Sequence, residues 1–123
     1  MIKLAIPVLH VASSAAAEEF YGGKLGFRKH FSYRADDSKT DPCYMGFRRD
    51  EAFLHLSSFP GDGVAGCAVY LVVEDVDAIY REIMAKGLTI AQEPVDQTWG
   101  NRELYVEDAD GNSIRFVQEK MEG

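Results

Sequence analysis

Residues 67–87 read CAVYLVVEDVDAIYREIMAKG, and the change of rhythm inside them decides the fold. Cys67 to Val73 is a near-continuous apolar run and reads as a strand. Asp75 is placed to cap the helix that follows. In that helix Val76, Ile79, Tyr80, Ile83 and Met84 fall at i, i+3, i+4, i+7 and i+8, which makes one apolar face. Gly87 ends it. Further strands are predicted near Leu88 to Gln92, Glu103 to Glu107 and Ser113 to Gln118. The turn Asp108-Ala109-Asp110-Gly111-Asn112 separates the last two. The order is strand, helix, three strands.

The upstream half follows the same plan. Ile2 to Leu9 is apolar and predicts a strand, and Pro7 marks an edge, a bulge or a hinge in it. Ser13 and Ser14 are capping residues for a helix from about Ala15 to Leu25, with Glu18 and Glu19 near its positive end and Gly26 at its close. Phe27 to Tyr33 reads as a strand and Arg34 to Pro42 as an exposed loop. Cys43 to Arg48 and Ala52 to Phe59 form a hairpin. Pro60-Gly61-Asp62-Gly63 is the strongest turn signal in the chain. The reading is therefore an α+β fold: two βαβββ modules in tandem, about 1–60 and about 64–120, within one domain over 1–123. The echo lies in the order of elements.

Composition narrows the function. At 46% hydrophobic, 123 residues bury a core without staples. Thirteen basic against 20 acidic side chains give a net charge of 13 − 20 = −7. That charge repels phosphate backbones and argues against nucleic acid. It draws in cations, although acidity also serves plain solubility. Two cysteines, Cys43 and Cys67, make neither a disulfide framework nor a zinc site. No apolar stretch reaches membrane-spanning length and the N-terminus lacks a signal-peptide pattern. The expected location is a reduced cytoplasm.

A family resemblance rests on an ordered set of short motifs. These are Pro7-Val8-Leu9, Glu19-Phe20-Tyr21, Leu25-Gly26-Phe27, Val73-Glu74-Asp75-Val76-Asp77, Trp99-Gly100-Asn101-Arg102-Glu103, the 108–112 turn and Arg115-Phe116. Together they resemble the glyoxalase/bleomycin-resistance/dioxygenase superfamily, the vicinal oxygen chelate fold, over almost the whole chain. Within it the likeness is closest to bleomycin-resistance proteins. Ala109 stands where that family usually has proline. Enzymes of the superfamily hold a divalent metal with four His, Gln or Glu side chains, two per module. The matching positions here are Ile6, His55, Ala68 and Arg115. Only His55 among them offers a metal donor, so no metal or other cofactor is expected. His10, an even number of residues from Ile6, shares its strand face and is the alternative donor.

The resemblance implies a homodimer whose N-terminal strands cross over, with ligand grooves between subunits and Pro7 as the hinge. It implies sequestration of a bleomycin-like molecule, flat, aromatic and cationic, without chemistry. Phe31, Tyr44, Ser57, Tyr70 and Trp99 match ligand-contacting positions, with Asp62 and Glu103 as acidic groups for a cationic tail. Strand alternation places Phe53, His55 and Ser57 on one face of their strand, Ala68, Tyr70 and Val72 on another, and Glu103 with Tyr105 on a third. A cleft of this kind, apolar with a few placed polar groups, suits a small molecule.

Each of these side chains also has a plainer role. Trp99, in a loop beside Gly100, is either a stacking wall or an interface aromatic. His55 is a ligand contact, or a hydrogen-bonded strand histidine. Tyr44 and Tyr70 line the groove or pack. Arg115 holds an anionic ligand or bridges to Glu103, and Arg102 braces a loop or the dimer. His10 and His30 are expected to be ordinary surface residues. Other functions remain open: a divergent metal-dependent glyoxalase or dioxygenase, for which His55 with Glu103 is the pairing to test, or a sensor or accessory module for another metabolite.

Overall fold

Ser13 starts the first helix because its hydroxyl accepts the Ala16 N–H at 3.2 Å. Asp75 starts the second by accepting the Ala78 N–H at 3.1 Å. These caps and the strand alternation build the architecture of the computed structural model, which describes residues 1–120. The chain divides into two units, residues 1–67 and residue 68 onward.

In the first unit β1 (Val8–His10) precedes a helix that opens as α1 (Ser14–Ala17) and continues as a π-helix (Glu18–Lys24). β2 (Arg28–Tyr33), β3 (Tyr44–Arg49) and β4 (Ala52–Ser57) follow, and the sheet order is β1-β4-β3-β2. The second unit runs β5 (Ala68–Val72), α2 (Val76–Ala85), β6 (Gln92–Asp96), β7 (Arg102–Glu107) and β8 (Ser113–Gln118), in the order β5-β8-β7-β6. The second order is the first with every number raised by four. β1 lies parallel to β4 and β5 parallel to β8, while the other pairs are antiparallel. The fold is α+β, two βαβββ modules in tandem, as the element order predicts.

Register makes the duplication residue-specific. His55 pairs with Val8 on one side and Gly46 on the other. Arg115 pairs with Tyr70 and Tyr105 in the same way. His55 and Arg115 therefore hold equivalent positions, as do Gly46 and Tyr105. Each sheet turns one face to its helix. Met45, Phe47, Leu54 and Leu56 are buried in the first unit, where the Tyr21 and Phe47 rings lie 6.5 Å apart. Leu104, Val106, Ile114 and Phe116 are buried in the second with Val76 and Ile83.

Three elements depart from the sequence reading. The helix predicted at 15–25 widens into a π-helix, in which the Leu25 N–H reaches back five residues to the Phe20 carbonyl at 2.9 Å. Apolar spacing does not separate the two helix types. β1 starts at Val8 instead of Ile2. Pro7 has no N–H for the ladder, although its carbonyl accepts from the His55 N–H at 3.0 Å. The strand predicted at Leu88–Gln92 lies later, at Gln92–Asp96, where an irregular register between Gln92 and Val95 absorbs Pro94 on the sheet edge. Met84, expected on the apolar face of α2, is 48% exposed.

Candidate functional site

Alternation along β3 and β4 leaves Tyr44, Gly46, Phe53, His55 and Ser57 on the face opposite the helix. Gly46 has no side chain, and Phe31 of β2 lies in that gap. A Cβ at Gly46 would stand 2.6 Å from Phe31 Cδ1. The seated ring stacks on Tyr44 (centroids 6.1 Å, planes 15° apart) and meets His55 edge-on at 5.2 Å. His30, expected as ordinary surface, also joins the face and packs edge-on to Phe31 and Phe53. Glycine in a strand interior was the available signal for this close approach.

Polar contacts fix the rings. The Tyr44 hydroxyl and His55 Nδ1 are hydrogen-bonded at 2.8 Å. Burial lowers the His55 pKa from 6.5, and the charge of His30 adds to the effect. Burial raises that of Tyr44, helped by the Asp62 carboxylate. Ser57 Oγ is fully buried and donates to Asp62 Oδ2 at 2.8 Å. His10 Nδ1 donates to the Asp62 carbonyl at 3.0 Å. Ser57 and His10 thus both hold Asp62 at the end of this face.

The second unit builds its face around a buried carboxylate. Glu103 is 3% exposed. Its Oε2 accepts the Trp99 indole N–H at 2.7 Å, and its Oε1 accepts the Tyr105 hydroxyl. That hydrogen bond is the largest cause of the raised Tyr105 pKa, followed by burial. Trp99 sits in the 97–101 hairpin loop, closed by Gln97 N–H to the Asn101 carbonyl at 2.8 Å. Gly100 has φ +102°, and a Cβ there would press Lys120. The Tyr70 hydroxyl accepts from Asn101 Nδ2 at 3.0 Å. Trp99 is 60% and Tyr70 51% exposed.

The structure corrects the bridge expected between Arg115 and Glu103. Both Glu103 oxygens are committed to Trp99 and Tyr105, and the Arg115 guanidinium carbon lies 4.7 Å from the Tyr105 ring centroid instead. Glu103 is correspondingly a brace for Trp99, with no oxygen turned out toward a ligand's tail. Arg102 forks between Asp77 of α2 and Asp96 of β6, at 3.0 and 3.2 Å. Phe31, Tyr44, His55 and Ser57 thus share one unit, and Tyr70, Trp99, Glu103 and Arg115 the other.

The positions matching the superfamily's metal ligands fall at equivalent places in the two units. Ile6 lies two residues before the partner of His55, and Ala68 two before the partner of Arg115. Their chemistry does not fit a metal ion. Ile6 and Ala68 have no lone pair, Arg115 is a cation, and His55 Nδ1 is bonded to Tyr44. Among the described residues no three His, Cys, Asp or Glu side chains converge as a metal site.

Tandem βαβββ units are the architecture of the vicinal oxygen chelate fold. The sequence model of the glyoxalase superfamily matches residues 1–123, and the chain belongs to that superfamily. Solved structures share the fold. A member of the glyoxalase/bleomycin resistance protein/dioxygenase superfamily from Sphaerobacter thermophilus is 25% identical, with 97% of this chain and 98% of that one covered and a TM-score of 0.75. The bleomycin resistance determinant encoded on transposon Tn5 shares 23% identity, covers 98% and 100%, and has a TM-score of 0.78. A bleomycin-binding protein solved in complex with bleomycin shares 23% over 97% and 100%, with a TM-score of 0.77. The last two likenesses are likenesses of fold. No curated protein matches the chain in sequence.

Proposed function

We propose that this protein binds and sequesters a flat aromatic small molecule, bleomycin or a related cationic compound, without chemical turnover. One observation carries the reading. Trp99 is largely exposed yet held in place, its N–H bonded to a buried carboxylate. An exposed indole is normally mobile, and anchoring it lowers the ordering cost of stacking a ligand on it. The Phe31–Tyr44–His55 cluster of the first unit supports the same use, and so does the net charge of −7, which favours a cationic tail. Against the enzyme reading, His55 Nδ1 is bonded to Tyr44 and both Glu103 oxygens are bonded to Trp99 and Tyr105, each within its own unit.

On the first unit's face Phe31, Tyr44 and His55 are the proposed contacts, with Ser57 supporting them from behind; on the second unit's face they are Tyr70, Trp99 and Arg115, with Glu103 behind them. We further place the protein in the cytoplasm as a homodimer exchanging N-terminal strands. Met1, Ile2 and Leu4 are exposed apolar residues ahead of β1, suited to cover by a second copy. No helix among the described residues is long and apolar enough to cross a membrane.

The test is calorimetric titration of the metal-analysed protein with bleomycin. Saturable binding at one drug per chain, unchanged by chelator and weakened by Trp99→Ala, is the expected result. No heat at micromolar protein, or turnover that follows added metal, would overturn the reading.

A further inference from the structure

We propose that Arg115 anchors a carboxylate, or a group of the same charge and shape, on the aromatic ligand. The inference rests on the reading of the second unit's face as an aromatic-binding surface, and it adds a charge requirement.

The argument starts from what surrounds the guanidinium. The chain holds 20 carboxylates against 13 Lys and Arg, so an arginine set within a sheet face is expected to find an acidic partner. Arg102 finds two, Asp77 and Asp96. Arg115, half-buried on the neighbouring strand, makes no ion pair among the described residues. Its contacts are the Tyr105 ring at 4.7 Å and a long bond from Nε to Ser113 Oγ at 3.5 Å. Glu103, on the same face, has its two oxygens taken by Trp99 and Tyr105.

Those contacts also prepare the group for a ligand. The Tyr105 ring steadies the guanidinium from one side. Tyr70 stands across the ladder from Arg115, its hydroxyl fixed by Asn101. None of these uses up the outer edge of the guanidinium, where a bidentate carboxylate docks. A flat ring that stacks on Trp99 or Tyr70 and carries a carboxylate fits this arrangement. An uncharged ring loses the ionic contact.

The probes are 2-naphthoate and its uncharged amide, 2-naphthamide, titrated into the full chain. The shift of the Trp99 indole N–H signal reports binding at this face. Wild type is expected to prefer naphthoate by at least about tenfold. Arg115→Gln is expected to abolish the preference, bringing naphthoate down to the affinity that the same variant shows for the amide. Arg115→Lys should keep part of the preference. Equal affinities in wild type, a preference that survives Arg115→Gln, or no response to either probe at millimolar concentration would each overturn the proposal. The bleomycin titration separates the two readings. Bleomycin binding without a naphthoate preference leaves sequestration standing and removes the anchor. A naphthoate preference that depends on Arg115, without bleomycin binding, does the reverse.

Discussion

The Trp99–Glu103 contact ties an exposed indole to a buried carboxylate. Glu103→Leu keeps the volume and removes both acceptors. The indole is then untethered, and the expected readout is lower fluorescence anisotropy of Trp99, the chain's one tryptophan. Bleomycin affinity should fall about two- to tenfold, the cost of ordering one large side chain on binding. Folding stability should also fall, by about 1–3 kcal/mol, because the indole N–H and the Tyr105 hydroxyl both lose their charged acceptor. An anisotropy equal to wild type would show that the loop, not the carboxylate, fixes the ring.

His55 gives a prediction in pH. Burial, with His30, holds its pKa below 6.5 in the folded chain. Below that value the unfolded chain binds a proton that the native state refuses, so stability falls as the solution is acidified. The loss grows down to the folded pKa and is then constant. His55→Gln should lose less of its urea midpoint between about pH 7.5 and about pH 5.5 than wild type does. Equal losses would assign the acid sensitivity to other groups.

At the level of elements, α2 depends on its first residue. Asp75→Ala removes the bond to the Ala78 N–H and should cost about 1 kcal/mol in urea denaturation. This cap was legible in the sequence, because Asp75 stands directly before a 3.6-residue rhythm. The open face of β4 was legible too, since Leu54 and Leu56 alternate with Phe53, His55 and Ser57. Other features left no local trace. The π-helix keeps the apolar spacing of an ordinary one. The position of β6 is set by its pairing with β7, and Pro94 argued against it. The partners of Glu103 depend on how a hairpin loop folds back, which residue spacing does not encode. Gly46 carried a signal that went unused, a glycine inside a strand. Gly46→Ala should push Phe31 off the sheet and lower stability by about 1–2 kcal/mol, with near-ultraviolet dichroism reporting the lost stack.

For the whole molecule, the exposed apolar residues ahead of β1 predict association. Light scattering should give about twice the 13.7 kDa chain, and Ile2→Lys with Leu4→Lys should shift the mass toward one chain. A monomeric wild type would contradict the strand exchange. The net charge of −7 adds a kinetic expectation. Association with a cationic drug should slow as salt is raised, with a smaller effect on dissociation.

The equivalence of His55 and Arg115 has a consequence for the history written into the fold. At neutral pH the duplicated position has diverged into two kinds of group, a neutral ring in one half and a permanent cation in the other. Protonating His55 cancels that divergence, since both halves then present positive charge at the same place in the sheet. The charge asymmetry between the two repeats is thus conditional on acidity, present where His55 is neutral and gone where it is protonated.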